Sequence, residues 1–101
     1  VYTVEKTEKF LMWYQSLKDV QAKQRIFSRL VRIELGNLGD VKSVGEGVFE
    51  IRIDCGPGYR IYYAMRGQTV ILLLCGGDKS SQQRDVESAK LMWKGLENES
   101  K

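Results

Sequence analysis

Between Gly56 and Lys79 the chain reads Gly-Pro-Gly-Tyr-Arg, two strand-length runs, and then Cys-Gly-Gly-Asp-Lys. The runs Tyr59 to Met65 and Thr69 to Cys75 are rich in Ile, Tyr, Val and Leu, and only Arg66-Gly67-Gln68 separates them. Such spacing predicts a β-hairpin. An antiparallel hairpin sets the start of its first strand beside the end of its second. Arg60 at the entry and Lys79 just past the exit are thereby placed to approach one phosphate, which points toward phosphodiester chemistry.

The segment before the hairpin extends the sheet. In Val48 to Asp54, Phe49, Ile51 and Ile53 alternate with Glu50, Arg52 and Asp54, so one face is expected in the core and the other in water. Val41 to Val44 reads as a further strand turned back by Gly45-Glu46-Gly47, and Val1 to Glu5 as a short opening strand. Past the Gly56-Pro57-Gly58 turn, Ile61, Tyr63 and Met65 oppose Arg60, Tyr62 and Ala64, so Arg52 and Arg60 share the polar face if the register allows. The run Val70 to Cys75 is apolar on both sides, as in a central strand.

Helical periodicity fills the remainder. Phe10, Trp13, Tyr14 and Leu17 mark one helix, with Asp19 as N-cap of a second that carries Ala22, Ile26, Leu30 and Ile33 on one stripe and ends at Gly36-Asn37. Arg25, Arg29 and Arg32 fall on its polar side, read as a wet face that can also meet RNA or an acidic partner segment. Ser80 or Ser81 is expected to cap a last helix holding Val86, Ala89 and Trp93, with Glu97 to Lys101 frayed. The order is strand, two helices, meander, helix. It predicts an α+β fold: an antiparallel twisted sheet of four or five strands, an N-terminal two-helix hairpin on its apolar face, a C-terminal helix, and the opposite face open for binding.

With 101 residues and one proline, a single domain spanning 1–101 and a shallow site are expected. Sixteen basic residues against thirteen acidic ones give a formal charge of +3, too slight by itself to indicate nucleic acid. There is no histidine, which removes the common Ser-His and Cys-His nucleophile pairs and the usual zinc ligand sets. Cys55 and Cys75 read as reduced, metal-free thiols of a cytoplasmic chain without a membrane segment, and no cofactor is implied.

Leu35-Gly36-Asn37-x-Gly39-Asp40-x-Lys42-x-Val44-Gly45, Glu50-x-Arg52, Gly56-Pro57-Gly58-Tyr59-Arg60-x-Tyr62-Tyr63 and Gly76-Gly77-Asp78-Lys79, with Gln82 or Gln83 beyond, together resemble a HigB-type addiction-module killer protein of the RelE/ParE toxin superfamily. The likeness runs from about Phe10 to Trp93. It implies a toxin silenced by a co-encoded antitoxin, expected to be a small helix-turn-helix protein. The implied activity is messenger RNA cleavage on the ribosome. By position, Arg60 matches the arginine of the family's active strand, Arg52 a basic residue on the strand before, and Lys79 a basic residue after the last strand. Near its end the chain departs from the pattern, offering Asp85 where a catalytic tyrosine is expected.

Metal-free RNA cleavage needs a base for the 2′-hydroxyl, cations for the charged intermediate and an acid for the departing oxygen. Arg60 suits the second role, since its planar fork spans two phosphate oxygens and its pKa makes it a poor base. Lys79 serves as acid or clamp. Glu50, Asp78 and Asp85 are all candidate bases, and Tyr62 is placed to stack on a splayed base. The plain alternative for Arg52 is a surface pair with Glu50 or Asp54, and for Lys79 a solvated turn residue. A ParE-like gyrase inhibitor and a non-catalytic RNA-binding module remain as other classes on the same fold.

Overall fold

The computed structural model describes residues 1–99. Helix α1 (Glu8–Ser16) follows strand β1 (Thr3–Lys6) and starts where the Thr7 side chain accepts the Phe10 N–H. Asp19 does the same for Ala22 at the head of α2 (Val20–Glu34), as its sequence position predicts. Helix α2 stops in a Schellman arrangement, with Gly36 at φ 102° and the N–H groups of Gly36 and Asn37 donating to the carbonyls of Ile33 and Arg32.

The chain then runs through β2 (Val41–Gly45), β3 (Val48–Ile53), β4 (Tyr59–Arg66) and β5 (Val70–Asp78). A single 3-10 turn (Lys79–Ser81) leads into α3 (Gln82–Glu99). Asp78, rather than either serine, caps this turn, its carboxylate accepting from Ser80 while the Ser81 hydroxyl meets the Asp78 N–H. Helix α3 holds through Glu99 where fraying is expected from the sequence, and Ser100 and Lys101 lie outside the described residues.

The sheet order is β1-β5-β4-β3-β2. Strands β2 to β5 form the expected antiparallel meander, whereas β1 joins the edge of β5 in parallel, making the sheet mixed. No hairpin links β1 to its neighbour, so nothing local fixes its direction. Gly76 and Gly77, which read in the sequence as a passage out of the hairpin, are still rungs of the β5 ladder, paired with Ile61 and Arg60.

Both faces of the sheet are covered, which corrects the expectation of one open face. Against α1 and α2, Ile51, Ile53, Tyr59, Ile61, Tyr63, Ile71 and Leu73 meet Phe10, Ala22, Ile26, Leu30 and Ile33, with Phe49 half-buried beside them. Fully burying one such side chain is worth roughly 1.5–3 kcal/mol, and this layer holds the larger of the two buried apolar clusters. On the other face α3 lays Val86, Ala89, Met92, Trp93 and Leu96 over Val48, Tyr62, Ala64, Leu72, Leu74 and Cys75. One end of that second face, near Gly58, is not covered by apolar residues.

Candidate functional site

The β3–β4 register places Arg52 directly across from Arg60, and Arg60 across from Gly77 on β5. Cross-strand partners share a face, so the two arginines stand side by side at the uncovered end, as the alternation requires. The turn that delivers Arg60 is closed by the Gly58 N–H on the Cys55 carbonyl, 3.0 Å. Its glycines take φ of 54° at Gly56 and 82° at Gly58, a conformation that favours glycine. The expected hairpin end geometry also holds. A Cβ built on Gly58 would lie 3.4 Å from an Arg60 terminal nitrogen and 3.7 Å from the Cβ of Lys79, so the Arg60 guanidinium and the root of the Lys79 side chain flank one backbone position.

Arg52, Arg60, Ile53, Asp54, Gly58, Tyr59 and Asp40 line a cleft of about 260 Å³. The Arg60 side chain is 13% exposed and the Arg52 side chain 40%. Arg60 donates to the Gly58 carbonyl at 3.1 Å, while its buried Nε lies 3.7 Å from Glu50 Oε2 without a hydrogen-bond partner. Arg52 Nε donates to Glu50 Oε1 at 3.0 Å, which realises the plain ion pair read from the sequence, but with a partner that is wholly buried. Hydrogen bonding to Glu50 is the leading cause that holds the Arg52 pKa above its ordinary value.

Three sequence-predicted roles change. Glu50 is no general base: it is fully buried, and Arg52, Tyr62 and Gln82 all donate to it. Burial, the largest influence on its carboxyl, pushes the pKa up. The bonds from Arg52, Gln82 and Tyr62 and the charge of Arg60 together outweigh that and hold it below the usual carboxylate value. Tyr62 cannot stack on a base, because its ring is buried and its hydroxyl donates to Glu50 at 3.2 Å; burial, then the Glu50 charge, drive its pKa well upward. Arg29 does not sit on the wet face with Arg25 and Arg32. It is 8% exposed and donates to the carbonyls of Leu38, Asp40 and Arg52, stapling α2 to β3 beneath the cleft. A Cβ on Gly39 would come within 2.6 Å of that guanidinium, which explains the glycine there.

Of the other candidate bases, Asp78 is committed to capping, and its bond from the Ser80 hydroxyl is the leading cause of a lowered pKa. Asp85, on the first turns of α3, accepts from the Ser81 hydroxyl and stands over Gly77, where any Cβ would overlap its carboxylate. Gly77 pairs with Arg60 across one strand spacing, about 4.8 Å, so Asp85 stands over the immediate neighbour of the Arg60 backbone. Lys79 is exposed on the 3-10 turn beside them. Sequence reasoning misses Gln82 as a site residue, although it notes that a glutamine follows the turn. Its amide, from the first residue of α3, reaches Glu50 at 2.8 Å.

Both cysteines are free thiols, and burial raises the Cys75 pKa to about 11. Among the described residues no cluster of three His, Cys, Asp or Glu could hold a metal ion, and no helix is long and apolar enough to cross a membrane.

The chain has relatives in sequence and in fold. Residues 13–93 match the family described as Phage derived protein Gp49-like (DUF891). A Haemophilus influenzae protein described as uncharacterized is 46% identical over 89 residues, covering 88% of this chain and 90% of its own length. Solved structures share the fold. A mutant of the E. coli toxin RelE in the free state superposes with a TM-score of 0.69 at 19% identity, covering 90% of this chain and 95% of that one. A chain of the intact E. coli RelBE toxin-antitoxin complex gives 0.64 at 18% identity, covering 77% and 96%.

Proposed function

The chain belongs to the Gp49-like family of phage-derived proteins, a RelE/HigB-type toxin family, and from that premise we propose that it halts translation by cutting messenger RNA on the ribosome, its own residues supplying the chemistry. The observation that carries this reading is the side-by-side pair Arg52 and Arg60 at the lip of a cleft, with Lys79 against the same glycine. A phosphodiester backbone laid in the cleft meets Arg52 and Arg60, with Lys79 on the adjoining turn. A co-encoded antitoxin, of the kind named in the RelBE complex, is the proposed silencing partner.

In the proposed reaction Asp85 takes the proton of a ribose 2′-hydroxyl, whose oxygen attacks the adjacent phosphorus. As that bond forms, negative charge builds on the non-bridging oxygens, and Arg60 holds two of them with its fork while Arg52 adds charge beside it. The bond from phosphorus to the 5′-oxygen then breaks. Lys79 gives that oxygen a proton, leaving a 2′,3′-cyclic phosphate and a 5′-hydroxyl. Asp85 is the better base than Glu50 because it is only partly buried, whereas every route to Glu50 is filled by its donors. Arg25 and Arg32, exposed on α2 beside Asp54, offer further contact with RNA backbone.

The test is growth arrest together with cleavage of ribosome-bound mRNA. Arg60→Ala and Lys79→Ala should each abolish both, and Lys79→Ala, which removes an exposed cation, should change stability by no more than about 1 kcal/mol. Arg60→Lys keeps the charge but loses the fork, and should be clearly impaired. If the alanine variants remain toxic, or if the wild type stops growth with gyrase-linked DNA breaks and intact RNA, the nuclease reading is wrong.

A further inference from the structure

A fully buried carboxylate directly behind a cluster suited to phosphate is an odd choice, because its charge opposes the ligand and its desolvation is unfavourable. Glu50 nonetheless occupies that place, with 0% of its side chain exposed. The four groups around it come from three elements. Arg52 shares its strand, Tyr62 and Arg60 come from β4, and Gln82 opens α3. Each oxygen has a distinct set of neighbours. Oε1 receives Arg52 at 3.0 Å; Oε2 receives Tyr62 at 3.2 Å and Gln82 at 2.8 Å, with the Arg60 Nε at 3.7 Å.

We propose that Glu50 is the positioning residue of this site: it fixes the aim of Arg60 and Arg52, while Tyr62 and Gln82 fix Glu50 in turn. The inference rests on the reading of Arg60 and Arg52 as phosphate-binding groups. A free arginine side chain samples many rotamers, and that freedom must be given up when it grips a phosphate. Here the loss has already been taken on folding. The Gly58 carbonyl holds one Arg60 terminal nitrogen at 3.1 Å and the Glu50 carboxylate attracts the Nε edge, so the guanidinium is oriented from two sides before any ligand arrives. Arg52 is set by its Nε bond alone, consistent with its greater exposure. Tyr62 and Gln82 matter because a carboxylate with spare lone pairs would swing toward whichever arginine came nearer. The depressed carboxyl pKa agrees with a group kept ionised for this purpose.

Two readouts separate positioning from a merely structural role. The first is the NMR signal of the arginine Nε–H groups, which needs no activity, with inorganic phosphate titrated as the probe. The second is cleavage of ribosome-bound mRNA, resolved into kcat and KM. In the wild type the Nε–H protons of Arg52 and Arg60 should exchange slowly and shift on adding phosphate. Glu50→Gln, shown folded by its amide spectrum, should lose the slow exchange at Arg52, shift the Arg60 signal and lower kcat on the order of 100-fold, with KM changed by less than about 3-fold. Folded Glu50→Gln with both signals intact and a normal kcat would overturn the proposal. Should that variant not fold, Tyr62→Phe carries the test: it must shift the Arg60 signal, and an unmoved signal would overturn the proposal. If the Nε–H results are as expected but no wild-type RNA is cut, positioning stands and the nuclease reading falls.

Discussion

On the face packed against α1 and α2, the central positions Ile51, Ile53, Ile61, Ile71 and Leu73 are all apolar and buried. On the face toward α3, apolar residues cover only part of the same strands, and at the Gly58 end Glu50, Arg52 and Arg60 replace them. Even the two enclosed cations differ. Arg29, on the first side, is held by three backbone carbonyls and contributes to shape; Arg60, on the second, is held by one carbonyl and a carboxylate and keeps donors for a ligand. One sheet thus presents two unlike surfaces, an unbroken apolar core on one and the proposed site at the end of the other.

The strongest way to break this division is to truncate each side once. Leu73→Ala should cost about 2–5 kcal/mol in urea unfolding yet leave cleavage per folded molecule unchanged. Lys79→Ala, which removes an exposed cation, should do the reverse, changing stability by no more than about 1 kcal/mol while removing most of the activity. Equal stability losses from the two would end the comparison.

Gly76 and Gly77 sharpen it with neighbouring residues. A Cβ on Gly76 would overlap the Trp13 ring under α1, whereas on Gly77 it would overlap the Asp85 carboxylate under α3. Gly76→Ala should therefore destabilise by about 1–3 kcal/mol, since a half-buried indole has little room to move. Gly77→Ala should destabilise less, because a carboxylate can rotate away, but it should depress cleavage by displacing Asp85. Thermal melts and single-turnover rates on both variants decide the matter.

Acid supplies a smaller probe. The folded Glu50 carboxyl titrates below its ordinary 4.5, so its contribution to stability is complete above that pH and is lost as pH falls through the folded pKa. Glu50→Gln should flatten the pH dependence of unfolding free energy in that acid range, and an unchanged slope would show that the carboxylate is not held as described. The smallest effect is expected far from both sites. Removing the exposed Arg66–Glu5 pair, 3.0 Å apart at the β1 edge, with Glu5→Gln should change stability by about 0.2–1 kcal/mol and cleavage not at all.

Much of this is legible in the sequence because it depends on local chemistry. Alternation in Val48 to Asp54 and in Tyr59 to Met65, joined through a tight turn, is enough to put Arg52 and Arg60 on one face and Lys79 near them. Side-chain oxygens at Thr7 and Asp19 and the left-handed Gly36 delimit the helices by bonds spanning a few residues. The identities of Glu50, Tyr62 and Arg29 are visible there but their surroundings are not. Polarity and alternation alone assign each to a wet surface, and each is buried because a distant segment supplies its partner: α3 and β4 for Glu50, β3 for Tyr62, and the 38–40 loop with β3 for Arg29.

What the sequence by itself determined, then, is the set of elements, their order, and which side chains share a strand face, since periods of 2 and 3.6 are properties of the backbone alone. Only the tertiary structure decided the rest. The parallel seat of β1 depends on an edge that exists once β5 has formed. The clearest case is the bulge in β5, where Tyr62 pairs with Cys75 but Tyr63 with Leu73, leaving Leu74 extra. That one residue resets the alternation, so that Gly77 rather than Gly76 lies under Asp85 and across from Arg60. No local pattern in Leu72-Leu73-Leu74-Cys75 marks it, because every residue there is apolar and fits either face; packing against two helix layers at once selects the register.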